Sequence, residues 1–455
     1  MFDLIVLGGG PAGYLAAERA ANGGLKTAVI EKRALGGVCL NEGCIPSKAL
    51  LNSAKIFEHA KEGAKYGVSA SDVKLDQKAV VARRGKVVKT LVSGVGAKMK
   101  GAGVTVITEN GVIDGRADGG YKVVAGGKEY TATRLLIATG SSAVVPPIPG
   151  VKENLGDFVI TNREVLELSE VPKNFAIIGG GVIGLEMAAY YCVAGAHVTV
   201  IEMLDHIAGP TDREISTMLQ KEYAKKGVDF KLNTKVVAVE PGKVVCEAAD
   251  GSKLEVPADK VLLSIGRRAN TKDIGLETIG VELNRGVIVT DEQCRTNVEN
   301  VYAAGDCIGK IMLAHTAYRE SEVAVNTMLG KKDKMRYNAN PSVIYTHPEV
   351  ASCGMTEEEA KAKGIDYEVK KLSMRYAGRF VAENEGEDGI CKILVNKQHR
   401  NVIGVHMLGN SSSEIIWGVA GIIESEMRVK DVKEIIFPHP TVSEIVREVI
   451  WEFND

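Results

Sequence analysis

Asp3-Leu4-Ile5-Val6-Leu7-Gly8-Gly9-Gly10-Pro11-Ala12-Gly13 is the stretch that decides the fold. Residues 3–7 form a short apolar run closed by glycines, which reads as a buried strand. Tyr14-Leu15-Ala16-Ala17-Glu18-Arg19-Ala20 then reads as a helix, and Thr27-Ala28-Val29-Ile30 as a second strand ending in Glu31. The unit is βαβ, with Gly8, Gly10 and Gly13 at the G-x-G-x-x-G positions. Glycines in that pattern permit a tight turn, the approach of a pyrophosphate and close helix–strand packing. Glu31 stands where a carboxylate takes a ribose hydroxyl.

The same pattern returns further on. Phe175-Ala176-Ile177-Ile178 leads into Gly179-Gly180-Gly181-Val182-Ile183-Gly184, then a helix over Leu185 to Cys192, then His197-Val198-Thr199-Val200-Ile201 and Glu202. Gly8 to Glu31 spans 23 positions, as does Gly179 to Glu202, so the two copies share one register. A repeat of this kind predicts two dinucleotide sites rather than one. Glu202 welcomes a 2′-hydroxyl and repels a 2′-phosphate, which favours NAD over NADP.

Between the copies lies Cys39-Leu40-Asn41-Glu42-Gly43-Cys44-Ile45-Pro46-Ser47-Lys48. Two thiols with four residues between them can close a small ring. Pro46 is tolerated in the first turn of a helix, and a helix starting there would favour a thiolate at Cys44. Gly36-Gly37 permits close backbone approach to a flat cofactor. The tail carries the second informative site. In Pro438-His439-Pro440-Thr441-Val442-Ser443-Glu444 the His is stiffened by flanking prolines, and a turn could bring Glu444 to its ring.

The rest of the chain frames these sites. A length of 455 residues suggests about three domains. A net charge of −2 gives no hint of a nucleic-acid or membrane partner, and no run approaches the ~18 apolar residues of a membrane span. Eight cysteines are too sparse for a disulfide scaffold, which favours a cytoplasmic location with one special pair. The strand-like run beginning at residue 3 leaves no room for a signal peptide. Residues 49–100 look helical, with Val87, Val88, Leu91 and Val95 forming a core stripe. Residues 104–131 look like a small antiparallel sheet turning at Gly126-Gly127, and Val144 to Gly150 is a proline-rich linker. Val261 to Arg268 reads as the strand ending the second nucleotide domain. Val301-Tyr302-Ala303-Ala304-Gly305-Asp306 reads as a strand returning to the first. No cluster has metal-ligand spacing, so no metal is expected. Cys192, Cys246, Cys294, Cys307, Cys353 and Cys391 read as buried or incidental rather than reactive, and His347 as structural or interfacial.

Gly8–Gly13 with Glu31, Cys39–Lys48, Thr139–Ser141, Gly179–Gly184 with Glu202, Gly305-Asp306 and His439-Pro440 together resemble the disulfide-dependent flavin reductases, over essentially the whole chain and in order. The resemblance implies an α/β fold with two Rossmann-like dinucleotide-binding domains and a C-terminal α+β dimerisation domain. The FAD-binding domain would be residues 1–143 and 267–335, the NAD-binding domain 144–266, and the dimerisation domain 336–455. FAD would lie on Gly8, Gly10, Gly13, Glu31, Lys48, Gly111, Thr139, Gly140 and Ser141, with Asp306 on its ribityl chain and Met312, Leu313, Ala314 and His315 lining it. NAD would lie on Gly179, Gly181, Val182, Ile183, Gly184, Glu186, Glu202, Val236 and Gly266. Cys39, Cys44, His439 and Glu444 would be catalytic, with Lys48 and Glu186 paired near the flavin's reactive nitrogen.

The implied activity is reoxidation of dihydrolipoyl groups on a carrier protein, with NAD as acceptor. The enzyme would be a homodimer serving a 2-oxo acid dehydrogenase complex or a glycine cleavage system. Related reductases acting on another disulfide, thiol or mercuric ion would share the core. Glu202 argues against an NADPH-driven reductase, and the tail lacks an added Cys pair for mercury. A structural subunit docked on a multienzyme core is a further alternative, which the intact redox apparatus makes secondary. Val38, Glu42, Ala269 and Phe437 depart from the family pattern. Glu42, where valine is usual, should oppose a thiolate at Cys44.

Overall fold

The computed structural model describes residues 1–454, which fall into two compact units. The first comprises Met1–Ala49, Val81–Val144 and Gly266–Arg336. Its sheet grows from the opening strand, Phe2–Leu7, whose Leu4, Ile5 and Val6 are fully buried. Burial on both faces is what a parallel strand covered by helices requires. Thr27–Ile30 pairs with it in parallel on one side and Lys128–Ile137 on the other, and Val301–Ala303 joins the far edge of Lys128–Ile137. The registers Leu7↔Ile137 and Ile137↔Ala303 end three parallel strands at one level. Gly8, Ala138 and Ala304 therefore leave the sheet side by side, so three loops distant in sequence open at one edge. The carboxyl edge of such a sheet is where ligands bind.

The 104–131 segment is not a separate sheet. Thr105–Ile107 is a parallel edge strand on Thr27–Ile30, and Gly111–Ala117, Gly120–Ala125 and Lys128–Ile137 form a meander continuous with the main sheet. The turn does fall at Gly126 and Gly127, both with positive φ, as a two-residue hairpin of this hand demands. The helix Gln77–Gly101 exists, yet its apolar stripe is only partly core. Val95 and Met99 are buried, whereas Leu91 is 38% exposed and Val87 and Val88 half-buried.

The second unit comprises Leu50–Val80, Val145–Ile265 and Tyr337–Asp455. Asn174–Ile178 is the centre of an all-parallel five-stranded sheet, flanked by His197–Ile201 and Lys260–Leu263. The helix Val182–Ala194 covers it, with Tyr190 and Tyr191 fully buried. Thr234–Glu240, Lys243–Ala248 and Lys253–Pro257 make an antiparallel meander. The C-terminal part carries a five-stranded antiparallel sheet including Ile390–Asn396 and Val402–Leu408, with helices such as Ser412–Glu424 and Glu444–Trp451 packed in one core. Among the described residues no helix is long and apolar enough to cross a membrane.

Candidate active site

The first glycine loop has the geometry its sequence predicts. Gly8 sits at φ +102°, and a side chain there would collide with the Ala138 carbonyl; one on Gly13 would collide with the Gly8 carbonyl. Gly10, by contrast, faces open space apart from Gly37 at 3.8 Å. The helix Pro11–Asn22 begins immediately after it, so its free N–H groups and positive end point at that space. Glu31 braces the loop: its carboxylate accepts from the Gly9 N–H and the Arg33 N–H, each at 2.7 Å.

The second loop repeats this arrangement in the second unit. Gly179 has φ +104°, with a hypothetical Cβ 2.6 Å from the Ser264 carbonyl. Gly181 faces open space apart from the Ser264 carbonyl at 3.9 Å, and Glu202 accepts from the Gly180 N–H at 2.7 Å and the Leu204 N–H at 2.9 Å. Val182 and Ile183 open the helix, where an anion would meet its free N–H groups. Glu186 lies buried in the same helix and accepts from the Tyr345 N–H at 3.1 Å. Val236 is buried at a bulge in its strand, and Gly266, in the first unit, has φ +115°.

At the open edge of the first sheet, Thr139–Ser141 and Asp306 meet through partners that the sequence reading did not single out. Thr139 Oγ1 donates to the Asn270 carbonyl at 2.6 Å, and Asn270 Nδ2 returns a bond to the Thr139 carbonyl at 3.1 Å. Ser141 Oγ donates to Asp306 and accepts from Arg267 Nε at 2.7 Å. Gly305 N–H is held at 2.7 Å by Glu320, a fully buried carboxylate. Met312 and Leu313 run into the helix Ala314–Met328, with Ala314 at its start and His315 exposed on it. Gly111 begins its strand against Ile30 and Leu7, where a side chain has no room.

The redox loop packs directly on the first glycine loop. Gly37, at φ +55°, leaves only 2.6 Å between a hypothetical Cβ and Gly10 Cα, and Gly36 N–H donates to the Gly9 carbonyl at 2.7 Å. The close approach these glycines permit is thus to the backbone of the first glycine loop. The short helix Gly37–Glu42 carries Cys39, and Cys44 is the first residue of the helix Cys44–Glu62. Pro46 falls in the first turn, where no N–H is missed. Asn41 Nδ2 ties the turn to the Gly37 carbonyl at 2.8 Å. Cys39 is half-buried and Cys44 exposed; both are thiols here and hydrogen-bonded to each other. The Cys44 hydrogen bond, then burial, pushes the Cys39 thiol up, against the pull of the Lys48 ammonium. A helix N-terminus favours the anion at Cys44.

Glu42 does not stand beside the thiols as an unmatched charge. It is 8% exposed and ion-paired with Arg33. The expected opposition to a Cys44 thiolate loses its main cause, because a paired carboxylate exerts little net field. The ionisable groups acting most on Cys39 are Cys44, Lys48 and Asp306.

In the second unit, His439 Nδ1 lies 2.9 Å from Glu444 Oε1, and Glu444 opens the helix Glu444–Trp451. Glu444 also accepts from the Thr441 N–H at 2.9 Å; that bond first, and then His439, holds its carboxyl below the usual range. The imidazole is 77% exposed, with Nε2 on the side away from Glu444. His347 instead hydrogen-bonds Glu58 at 2.8 Å within a polar cluster. Among the described residues no group of three or more His, Cys, Asp or Glu side chains could hold a metal ion.

Two dinucleotide loops, a C-x4-C turn packed on the first, and a His–Glu pair define a class that the sequence comparisons identify. The chain matches the pyridine nucleotide-disulphide oxidoreductase profile over residues 2–321 and that family's dimerisation domain over 340–450, and it belongs to this family. Among curated proteins it is 40% identical over 464 residues to the mitochondrial dihydrolipoyl dehydrogenase of Homo sapiens, covering 98% of this chain and 89% of that protein. The Mesocricetus auratus enzyme of the same name is 40% identical over 457 residues, 98% and 95% covered. Among solved structures, LpdA from Mycobacterium tuberculosis superposes with TM-score 0.90 at 26% identity, covering 99% of each chain. The flavoprotein disulfide reductase RclA from Escherichia coli superposes with TM-score 0.86 at 25% identity, covering 98% of this chain and 99% of that one. The chain is accordingly a flavoprotein disulfide oxidoreductase of the dihydrolipoyl dehydrogenase kind, in a family that uses FAD and NAD. The dimerisation-domain match supports a homodimer.

Proposed function

We propose that this protein oxidises dihydrolipoyl groups of a carrier protein and delivers the electrons to NAD, with Cys39–Cys44 as the redox pair. The observation that carries this is Cys44 at the first position of the helix Cys44–Glu62, beside Cys39, on a loop packed against the first glycine fingerprint. The residues present fit the two dinucleotides. The open faces of Gly10 and Gly181 are cradles that a Cβ would fill, each backed by a helix N-terminus and a braced glutamate. FAD would be held by Gly8, Gly10, Gly13, Glu31, Lys48, Gly111, Thr139, Gly140, Ser141, Asp306 and 312–315. NAD would be held by Gly179, Gly181–Gly184, Glu186, Glu202, Val236 and Gly266. Lys48 and Glu186 would pair near the flavin. Functionally, residues 1–143 with 267–335, 144–266 and 336–455 act as FAD, NAD and dimerisation domains.

His439, oriented by Glu444, takes the proton of the incoming dithiol at Nε2. The substrate thiolate attacks Cys39 Sγ of the disulfide, forming a mixed disulfide as the Cys39–Cys44 bond breaks. Cys44 leaves as a thiolate, stabilised at its helix N-terminus. The second substrate sulfur then attacks the first, closing the oxidised ring and releasing Cys39, which takes up a proton as its raised pKa favours. When bound, FAD supplies the two-electron link between the reduced pair and NAD. The dimer places His439 of one subunit at the cysteine pair of the other. The carrier belongs to a 2-oxo acid dehydrogenase complex or a glycine cleavage system. The compartment is cytoplasmic, supported by cysteines too few for a scaffold, although the named relatives are mitochondrial.

The test is a purified, FAD-loaded preparation assayed for NAD reduction by dihydrolipoamide, alongside glutathione disulfide with NADPH. Turnover in the first assay alone is expected. Turnover in the second alone would replace this reading with a different disulfide reductase.

A further inference from the structure

Lys392 is a buried ammonium that the mechanism above does not use. It stands in the strand Ile390–Asn396 of the C-terminal sheet, with 3% of its side chain exposed. A buried charge persists only where it is paired and hydrogen-bonded. Lys392 Nζ donates to Asp212 Oδ2 at 2.9 Å, and it lies 2.5 Å from Glu357 Oε2 and 3.4 Å from Glu214 Oε2. Burial works against the ammonium, but Glu357 and then Asp212 hold it charged. His406, opposite Lys392 on the strand Val402–Leu408, adds no charge to the cluster. Burial pushes its imidazole down, and its Nε2 lies 2.8 Å from the Met355 carbonyl.

Asp212 belongs to the nucleotide-binding part of the same unit and is fully buried. It caps the helix Arg213–Lys225, its Oδ1 accepting from the Glu214 and Ile215 N–H groups at 3.1 and 3.4 Å. Its two oxygens have separate tasks: one closes the helix and the other holds Lys392. The segment 203–211 joins Glu202 to this cap and turns back on the second glycine loop. Ala208 N–H donates to the Gly180 carbonyl at 2.8 Å, and Thr211 donates to the Ala208 carbonyl through its N–H at 3.3 Å and its Oγ1 at 2.9 Å. Ala208 is buried at φ +64°, a left-handed conformation that a non-glycine residue keeps only where its surroundings fix it. Gly180 in turn donates its N–H to Glu202. One path of bonds therefore runs from Lys392 through Asp212 and the turn 208–211 to the glycine loop and its glutamate.

We propose that Lys392, from the C-terminal sheet, is a positioning residue for NAD: by holding Asp212 it fixes the turn 208–211 against the Gly180 carbonyl and so sets the cradle formed by the second glycine loop and Glu202. The proposal rests on the reading of that loop as the NAD site. Its effect falls on NAD binding and not on the dithiol chemistry.

The test compares wild type with Lys392→Met, Asp212→Asn and the double variant, all FAD-loaded. Asparagine caps a helix as well as aspartate does, so Asp212→Asn removes the contact with Lys392 while keeping the cap. Two quantities are read: KM for NAD at saturating dihydrolipoamide, and the rate of FAD reduction by dihydrolipoamide with NAD absent. Each single variant should raise KM for NAD about 10-fold, the loss of one charge-assisted bond, with the FAD-reduction rate within about twofold of wild type. The double variant should do no worse than the larger single, because both remove one contact. An unchanged KM for NAD in either single variant overturns the proposal. So does a double effect equal to the product of the singles, or a fall in FAD reduction as large as the rise in KM. If Lys392→Met does not fold, Asp212→Asn decides by the same criteria; if neither retains FAD, the role is structural and the proposal fails. Gly181→Val, which fills the cradle itself, tests the underlying reading: an unchanged KM for NAD there would overturn the assignment of the loop to NAD.

Discussion

Glu31 and Glu202 are braced by the same two kinds of main-chain donor, one from the glycine loop and one two residues on. Each carboxylate is thereby held at the end of its strand against its glycine loop. After Glu202 the chain continues Met203-Leu204, with no cation to receive a 2′-phosphate. Replacing Glu202 by Ala is expected to raise kcat/KM for NADP relative to NAD by at least about 10-fold, the worth of one like-charge contact of roughly 1.4 kcal/mol. Equal cofactor ratios in wild type and variant would remove Glu202 from specificity. Glu444 has a different task, holding a single imidazole. Glu444→Gln keeps a hydrogen-bond acceptor but removes the charge that steadies a protonated His439. Its dithiol turnover should fall about 10²-fold, within the range of general-base effects. Reduction of bound FAD by NADH should be unchanged, because that half-reaction does not use the His–Glu pair.

At the scale of elements, the sequence reading succeeds where a local rule fixes the outcome. Buried runs such as Ile5–Leu7 and Phe175–Ile178 become central strands because parallel sheets are apolar on both faces. Cys44 opens a helix because Gly43 breaks the preceding one and Pro46 is tolerated only in a first turn. Reading fails where the deciding neighbour is remote. Nothing local to Ser141 announces Arg267 or Asp306, 126 and 165 positions away, nor does Gly305 announce the buried Glu320. Leu91 matches a core period but lies exposed on a helix whose inner face is set by Val95 and Met99. Glu42 looked like an unmatched charge because Arg33, its partner, lies in the preceding loop. One tight inter-element fit is Gly37 on Gly10. Gly37→Ala adds a methyl 2.6 Å from a backbone carbon at a positive φ, so the redox helix must shift off the glycine loop. The expected result is an apparent melting temperature lower by several degrees and weaker FAD retention, read by flavin fluorescence on dilution. A variant holding FAD as tightly as wild type would show that the contact does not position the cofactor loop.

For the whole molecule, the proposed assembly makes each site from two chains. A mixed dimer of Cys44→Ser and His439→Gln subunits, each inactive as a homodimer, then contains one doubly defective site and one intact site. Isolated mixed dimers should recover about half the wild-type dihydrolipoamide activity per dimer, since one of the two sites is restored. Mixed dimers as inactive as their parents would place each site within one chain. The central claim is that electrons pass through Cys39 and Cys44 and no other thiols. It is met most directly by reducing the FAD-loaded enzyme with dihydrolipoamide, trapping it with an alkylating agent and mapping new label by peptide mass. The account predicts two new labelled thiols per subunit, at Cys39 and Cys44. Label gained at any of the other six cysteines instead, or none gained at this pair, would contradict it.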